Sequence, residues 1–321
     1  MRLLVPRGRT LNGVTERCRI CRQEEAKLSY EHVPPRAAFN DEPTTVYGFD
    51  DWLNRGADGA LPGGRIEQRG AGGHTLCERC NNNTGSWYGT ELKRAANTGA
   101  KLLMQTPLKE LDGLLEHRWA QVGLKQSEMG PHPLRLIKQI VAMLLATSPP
   151  ELTLTHPELG DFVLDRTRTG LSDRYRFYLA LYAGPYARTT GVVPALDLER
   201  NRSDTFVEVA WPPYAYVMTI DSAPDAVPTV DITPMVAVGY NQRADIELEL
   251  LVGFGHTAIP VDYRTTAMIE RDRALNDAAA DEAAAEDRAK AMTEWMAQQH
   301  DNPLMSGGDN VFLTGGQFDG E

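Results

Sequence analysis

The sequence contains only four cysteines in 321 residues and has no apolar run of about 18 residues. Its longest apolar stretch, residues 140–146, is too short to cross a membrane, so we expect no membrane span. The first eight residues hold no apolar segment long enough for a signal peptide, which predicts a cytoplasmic protein. Few cysteines, all in close pairs, favour a metal site over disulfides.

An excess of positive charge is also missing, because the formal net charge is −11. A protein coated in nucleic acid is not expected with this balance. The charge is uneven, however. Residues 1–96 hold 14 basic and 12 acidic side chains, whereas the rest of the chain holds 19 and 32. We therefore expect any nucleic-acid contact to come from the N-terminal third.

The fold class predicted from these patterns is α+β. The predicted units are an N-terminal zinc-binding module at 1–97, connecting helices at 98–149, a β-rich domain of unknown role at 150–264, an Ala-rich acidic helix at 265–300 and a disordered tail at 301–321. Within the first unit, residues 36–73 are rich in Gly, Pro, Asp and Asn, which predicts a long loop insertion.

Local patterns predict individual elements within these units. One helix is expected from near Thr84 or Ser86 to Met104, and a second from Pro133 to just before Pro149. Strands with alternating polarity are expected around residues 175–179, 206–209, 214–218 and 246–250. We expect these strands to form a mixed or antiparallel sheet.

The cysteines form two pairs with the same spacing. Cys18 and Cys21 make the first pair, and Cys77 and Cys80 make the second. Two such pairs provide the four thiolates that a structural zinc ion prefers, so we predict one zinc per chain. The alternative is four incidental cysteines, which the matched spacing disfavours.

Between the pairs lies the sequence Glu31-His32-Val33-Pro34-Pro35. A nuclease needs a base that takes a proton from water and a cation near the phosphate. A neutral His could be the base, and a carboxylate could bind the cation, Mg²⁺ or Mn²⁺. Adjacent side chains on a strand face opposite ways, so a bend is needed for both to act together. A lone His, by contrast, more often makes a structural hydrogen bond.

Polar residues around the second pair add further candidates. Asn81 follows Cys80 directly, and its amide oxygen could be a second metal ligand; Asn83 could take that role instead. The alternative is that these asparagines cap the helix or form a turn. His74 precedes Cys77 on an expected strand, where it could assist the metal, bind a phosphate or be a partly exposed strand residue.

Together these motifs resemble the HNH, or ββα-metal, nuclease family with zinc knuckles, over about residues 15–97. The resemblance is nearest to the phage-resolvase-like branch, in which Asn directly follows the last Cys. It implies His32 as general base, Glu31 and Asn81 as ligands of a catalytic Mg²⁺ or Mn²⁺, and the four cysteines as structural zinc ligands. It also implies DNA as the substrate, with RNA as an alternative.

The sequence departs from the family pattern at two positions. Many members carry Asn about five residues before the second Cys pair, where this chain has Gly72. Either His74 substitutes for that Asn, or the loop is braced in another way, or activity is reduced. The acidic position is Glu31 where Asp is commoner.

The leading hypothesis is a metal-dependent DNA endonuclease, by analogy an effector of phage defence or of mobile elements. The alternative is a non-catalytic zinc-ribbon module that binds nucleic acid or protein. In a third hypothesis, residues 150–321 carry the function and the zinc module is an anchor. The acidity outside the module predicts weak duplex binding, and either a homodimer or a recruiting protein subunit could compensate.

Overall fold

The computed structural model describes residues 2–4, 15–48, 64–105, 121–182, 186–197, 202–224, 227, 229–251 and 290. These residues form strands β1 (Arg2–Leu4), β2 (Thr15–Glu16), β3 (Ala26–His32), β4 (Thr44–Tyr47), β5 (Arg65–Glu67), β6 (Gly72–Cys77), β7 (Gln121–Lys125), β8 (Tyr175–Leu181), β9 (Tyr186–Thr189), β10 (Val193–Asp197), β11 (Arg202–Trp211), β12 (Tyr214–Ile220), β13 (Val230–Asp231) and β14 (Glu247–Leu251). The helices are α1 (Glu78–Gln105), α2 (Gln126–Met129), α3 (Pro133–Thr147), α4 (Glu151–Thr155) and α5 (Pro157–Leu164), with 3₁₀ turns at Arg36–Ala38 and Thr233–Ala237. The protein is therefore α+β, as predicted.

A nine-stranded mixed sheet is the largest element of the described chain. Its order is β13-β8-β12-β11-β9-β1-β4-β5, and β10 also pairs with β11. Strand β1 is parallel to both β9 and β4, while the other pairs are antiparallel. The sheet thus joins strands from the two ends of the described chain.

Helix α3 packs on one face of this sheet and forms the centre of the main core. Its residues from Leu136 to Ala146 are all buried, which explains why its sequence is apolar on nearly every side. Tyr175, Phe177 and Leu179 alternate along β8 and belong to the same core. The helix predicted from Pro133 is confirmed, as are the four predicted strands.

The cysteine-containing segment has its own small sheet. Strand β3 pairs with β2 on one side and with β6 on the other, both antiparallel. Helix α1 follows β6 without a break, so the paired strands β3 and β6 are completed by a helix. The 3₁₀ turn at Arg36–Ala38 and strands β4 and β5 lie between β3 and β6 in the chain. A register shift between Ser29 and Tyr30 interrupts the β3–β6 ladder close to the start of α1.

Two local predictions need correction. Helix α1 begins at Glu78, six residues before the predicted start at Thr84, because residues 78–83 are already helical. The segment 36–73, predicted to be a long loop, contains a 3₁₀ turn and strands β4 and β5. Residues 49–63 of this segment lie outside the described residues, as do the predicted tail at 301–321 and all of 265–300 except Lys290.

The predicted absence of a membrane span agrees with the part of the chain that the structure describes. None of its helices combines the length and the apolar character that crossing a bilayer requires.

Candidate functional site

The four cysteine thiols converge, although Cys77 lies 56 positions after Cys21 in the sequence. Cys18 and Cys21 lie on the turn before β3, Cys77 ends β6, and Cys80 lies in the first turn of α1. Their four Sγ atoms all lie within 4.8 Å of one another. The cluster could therefore hold a metal ion such as zinc.

The geometry of the thiols fits a tetrahedral ion. With Zn–S bonds of about 2.3 Å, neighbouring sulfurs of a tetrahedron lie about 3.8 Å apart. Cys21 Sγ and Cys77 Sγ are 3.8 Å apart. The side-chain hydrogen bond from Cys80, together with backbone N–H donors, lowers the pKa of Cys18, whereas that same bond and burial raise the pKa of Cys80, and burial raises the pKa of Cys77. The cluster thus favours a thiolate, the form that binds metal, at Cys18.

Asn81 lies beside strand β3. Its side-chain Nδ2 donates to the carbonyl oxygen of Tyr30 at 2.9 Å and to Ser29 Oγ at 3.1 Å. Because α1 begins at Glu78, Asn81 is the fourth residue of the helix, and its side chain faces β3 rather than capping the helix end. Both amide hydrogens therefore have partners on β3, which leaves the amide oxygen as an acceptor for a ligand.

Asn83, the alternative to Asn81, is half-buried two residues further along α1. Its backbone carbonyl accepts a hydrogen bond from Ser86 Oγ. Two residues along a helix correspond to about 200° of rotation, so Asn83 and Asn81 leave the helix on different sides. Since Asn81 bonds to β3, it is the better placed of the two for a site that includes Glu31.

Glu31 is a buried carboxyl on β3. The residue is 7% exposed, and burial raises the pKa of its carboxyl to about 8. Among the described residues no basic side chain forms an ion pair with it. A buried acid without a positive partner is costly when ionised, so this position favours either a proton or a cation.

His32, the last residue of β3, has a defined tautomer. Its Nε2 lies 3.0 Å from the carbonyl oxygen of Arg69. A carbonyl oxygen only accepts, so Nε2 carries the proton and Nδ1 keeps its lone pair. Burial lowers the pKa of His32, the bond to Arg69 opposes this, and the charge of Arg36 lowers it further. Burial and the charge of Arg36 thus favour the neutral form of the ring.

His74 lies opposite Tyr30 in the β3–β6 ladder. The Tyr30 ring makes edge contacts with His32 and with His74, at centroid distances of 5.0 and 5.4 Å. Side chains alternate along a strand, so Tyr30, His32 and His74 share one face and Glu31 lies on the other. His74 Nδ1 is buried and has no hydrogen-bond partner in the described structure. The structure thus groups His74 with His32 rather than with Glu31.

Gly72, where the resembled family has Asn, cannot carry a side chain in this structure. A Cβ atom built there would lie 2.0 Å from the carbonyl oxygen of Glu31. The close approach of the two strands therefore requires glycine at this position. The loop must be braced from elsewhere.

Asn40 provides that brace, and sequence reasoning missed it. The side chain is fully buried; its Nδ2 donates to the carbonyls of Pro34 and Ala71 at 2.6 and 2.7 Å, and its Oδ1 accepts from the Ala71 N–H at 2.7 Å. It ties the segment after His32 to the segment before Gly72. In the sequence it is one Asn in a loop-like stretch, so no local signal distinguished it.

Two exposed arginines flank His32. Arg36 follows it in the 3₁₀ turn, and Arg69 holds its ring through the backbone carbonyl. Arg65, on β5, forms an ion pair with Glu67 at 2.6 Å. Arg36 and Arg69 thus bring exposed basic side chains to the segments that adjoin the histidine.

Comparison of the chain with family models, with curated proteins and with solved structures finds no match. We therefore derive a function from the side chains of β3, β6 and α1.

Proposed function

We propose that this protein is a metal-dependent endonuclease that hydrolyses phosphodiester bonds of DNA. The observation that carries the proposal is that adjacent residues of β3 supply a His32 whose Nδ1 lone pair is free of the bond to Arg69 and the buried, uncompensated carboxyl of Glu31. Because the two side chains leave opposite faces of the strand, the proposal requires the chain to bend at His32, the last residue of β3, so that both reach one phosphate. These are the two kinds of group that hydrolysis of a phosphodiester needs: a base for water, and a ligand for a cation.

The donor set suits a hard divalent cation. Glu31 offers a carboxylate and Asn81 an amide oxygen, which are the ligands that Mg²⁺ and Mn²⁺ prefer. The cation, when bound, neutralises charge on the phosphate and on the departing oxygen. It would also compensate the buried charge of Glu31, which no described ion pair does.

The chain's own residues account for the remaining step. His32 Nδ1 removes a proton from water, the water oxygen forms a bond to phosphorus, and the bond from phosphorus to the 3′ oxygen breaks. That oxygen takes a proton from solvent. Arg36 and Arg69 hold the strand through its phosphates, and Asn40 keeps His32 in place through the segments on either side of it.

Zinc in the cysteine cluster is part of the proposal as a structural ion. It would tie residues 18–21 to the start of α1, and so hold Asn81 against β3. The rest of the chain is acidic and would repel DNA. Target binding is therefore proposed to depend on a second copy of the chain or on a recruiting subunit.

The test is plasmid cleavage in Mg²⁺ or Mn²⁺ by wild type and by His32→Ala, after both have been shown to hold one zinc. Nicking by the wild type alone supports the enzyme. Absence of nicking by both, with nucleic-acid binding retained, favours the non-catalytic zinc-ribbon module instead. Equal nicking by both proteins would exclude His32 as the base.

A further inference from the structure

Phe39 exposes an aromatic ring to solvent at the edge of the proposed site. The residue is 45% exposed. Four large apolar side chains are exposed in the described part of the chain, and Phe39 is the aromatic one. Its neighbours Ala38 and Asn40 are buried. The chain therefore anchors both sides of this residue while its ring points outward.

The backbone of Phe39 is strained. Its φ is +66° and its ψ is +30°, in the left-handed region that glycine and asparagine adopt far more readily than an aromatic residue. The conformation ends the 3₁₀ turn, where the Phe39 N–H donates to the carbonyl of Arg36. Strain of this kind persists where the surrounding structure enforces it, and it concentrates at functional sites.

Hydrogen bonds of neighbouring residues connect the Phe39 turn to the segment that carries His32. Asn40, the next residue, bonds to the carbonyls of Pro34 and Ala71. The Ala71 carbonyl also accepts the N–H of Val33, the residue directly after His32. A short chain of buried contacts thus links Phe39 to the proposed base.

Two exposed arginines lie on the segments that flank His32 and the turn of Phe39, with the acidic Asp41 and Glu42 just after the turn. Arg36 starts the turn that Phe39 ends, and its guanidinium is exposed and close enough to His32 to act on it electrostatically. Arg69 is exposed beside the histidine. An exposed ring next to cations is the combination by which proteins hold a nucleic-acid strand, with stacking for a base and charge for the phosphates.

We propose that Phe39 stacks on a nucleobase next to the phosphate that His32 attacks; this inference rests on the proposed nuclease function. A base within a regular duplex is stacked on both faces. The ring therefore selects strands in which a base is free to leave the stack, such as a single strand or a duplex with a bulged base. DNA and RNA share this chemistry, and the experiment distinguishes them.

The experiment measures the binding of fluorescent oligonucleotides by anisotropy in a His32→Ala background, with Mg²⁺ and without cleavage. The probes are a perfect duplex, the same duplex with one bulged base, and a single strand, each made as DNA and as RNA. We expect tighter binding of the bulged duplex and the single strand. Adding Phe39→Asn, which suits the left-handed backbone, should weaken those two complexes about 10-fold and leave the perfect duplex unchanged.

Two further variants separate stacking from structure. Phe39→Trp keeps an aromatic face and should keep the preference. Leu154→Ala removes an equally exposed apolar side chain from α4 and should change nothing. If the His32→Ala protein binds the probes and adding Phe39→Asn leaves every affinity unaltered, the stacking role is overturned and the nuclease proposal still stands. Failure of the His32→Ala protein to bind any probe would overturn both.

Discussion

The side-chain amide of Asn40 donates a hydrogen bond of 2.6 Å to the carbonyl oxygen of Pro34, two residues beyond His32. The same side chain bonds both backbone groups of Ala71, so a single buried amide joins the two segments that flank the proposed base. This contact explains how the loop is held although Gly72 stands where a bracing Asn was expected.

Asn40→Ala should therefore destabilise the protein and impair cleavage together. The Pro34 carbonyl and the Ala71 N–H would lose their partner, while the Ala71 carbonyl would keep the N–H of Val33. Leaving one buried carbonyl and one buried N–H unpaired costs about 2–5 kcal/mol in the free energy of unfolding. Urea denaturation and plasmid nicking measure the two effects. Asn97→Ala, an exposed asparagine on α1, is the matched control and should be neutral. Wild-type stability in Asn40→Ala would show that the brace is unimportant.

The cysteine cluster predicts a defined zinc stoichiometry. The sequence has four cysteines and all four are in the cluster, so a thiol-specific mercurial should release one zinc per chain after reacting with four thiols. Zinc release is followed with a chromogenic chelator. Cys80→Ser should weaken zinc binding by more than the roughly 10–100-fold that loss of an outer-shell partner costs, because it removes a ligand. Retention of one tightly bound zinc in Cys80→Ser would contradict the assignment.

Glu31 predicts a pH dependence of stability when no divalent cation is added. The pKa of its carboxyl is about 8 in the folded protein, above its ordinary value of 4.5. Between these values the folded state binds more protons than the unfolded state, so stability falls as the pH rises. From pH 6 to pH 8 the loss attributable to Glu31 should be about 2–3 kcal/mol.

Urea denaturation of wild type and Glu31→Gln across this range isolates the effect, with zinc content checked at each pH. The glutamine variant stays neutral and should lack the decline, and Mg²⁺ should oppose the decline in the wild type alone because it binds the ionised carboxylate. Parallel pH profiles for the two proteins without Mg²⁺ would exclude a raised pKa at Glu31.

Features governed by local spacing could be predicted from the sequence. The repeated C-x2-C spacing predicted that four thiols converge, and the apolar run after Pro133 predicted α3. The start of α1 could not be predicted, because three successive asparagines are weak helix formers and Asn81 gains its stability from bonds to β3. Tertiary contacts thus overrode local propensity there.

Long-range pairing left no local signal. Strand β1 pairs with β9 through Arg2 and Tyr186, far apart in the sequence, and neither strand has a pattern that specifies the other. Asn40 was missed for the same reason, since its partners Pro34 and Ala71 become neighbours only when β3 and β6 pair. The proposed roles of Glu31, His32 and Asn81 stay predictions that the geometry supports.

Arg36 predicts the salt dependence of nucleic-acid binding. Each neutralised phosphate contributes a slope of about −0.9 for duplex DNA in a plot of log affinity against log salt concentration. The chain carries a net charge of −11, and few basic groups flank His32. The slope measured for the protein should therefore be clearly different from zero but should correspond to only a few phosphate contacts. Arg36→Ala should reduce the magnitude of this slope by about one.

The measurement uses the His32→Ala background at several salt concentrations. Lys101→Ala provides the control, because Lys101 is exposed on α1 but lies 20 residues, about 30 Å, beyond Asn81 along the helix. Its slope should match that of the parent protein. A slope near zero for the parent would mean that phosphate contacts do not drive binding, and an unchanged slope in Arg36→Ala would place the strand away from the turn that carries Arg36 and Phe39.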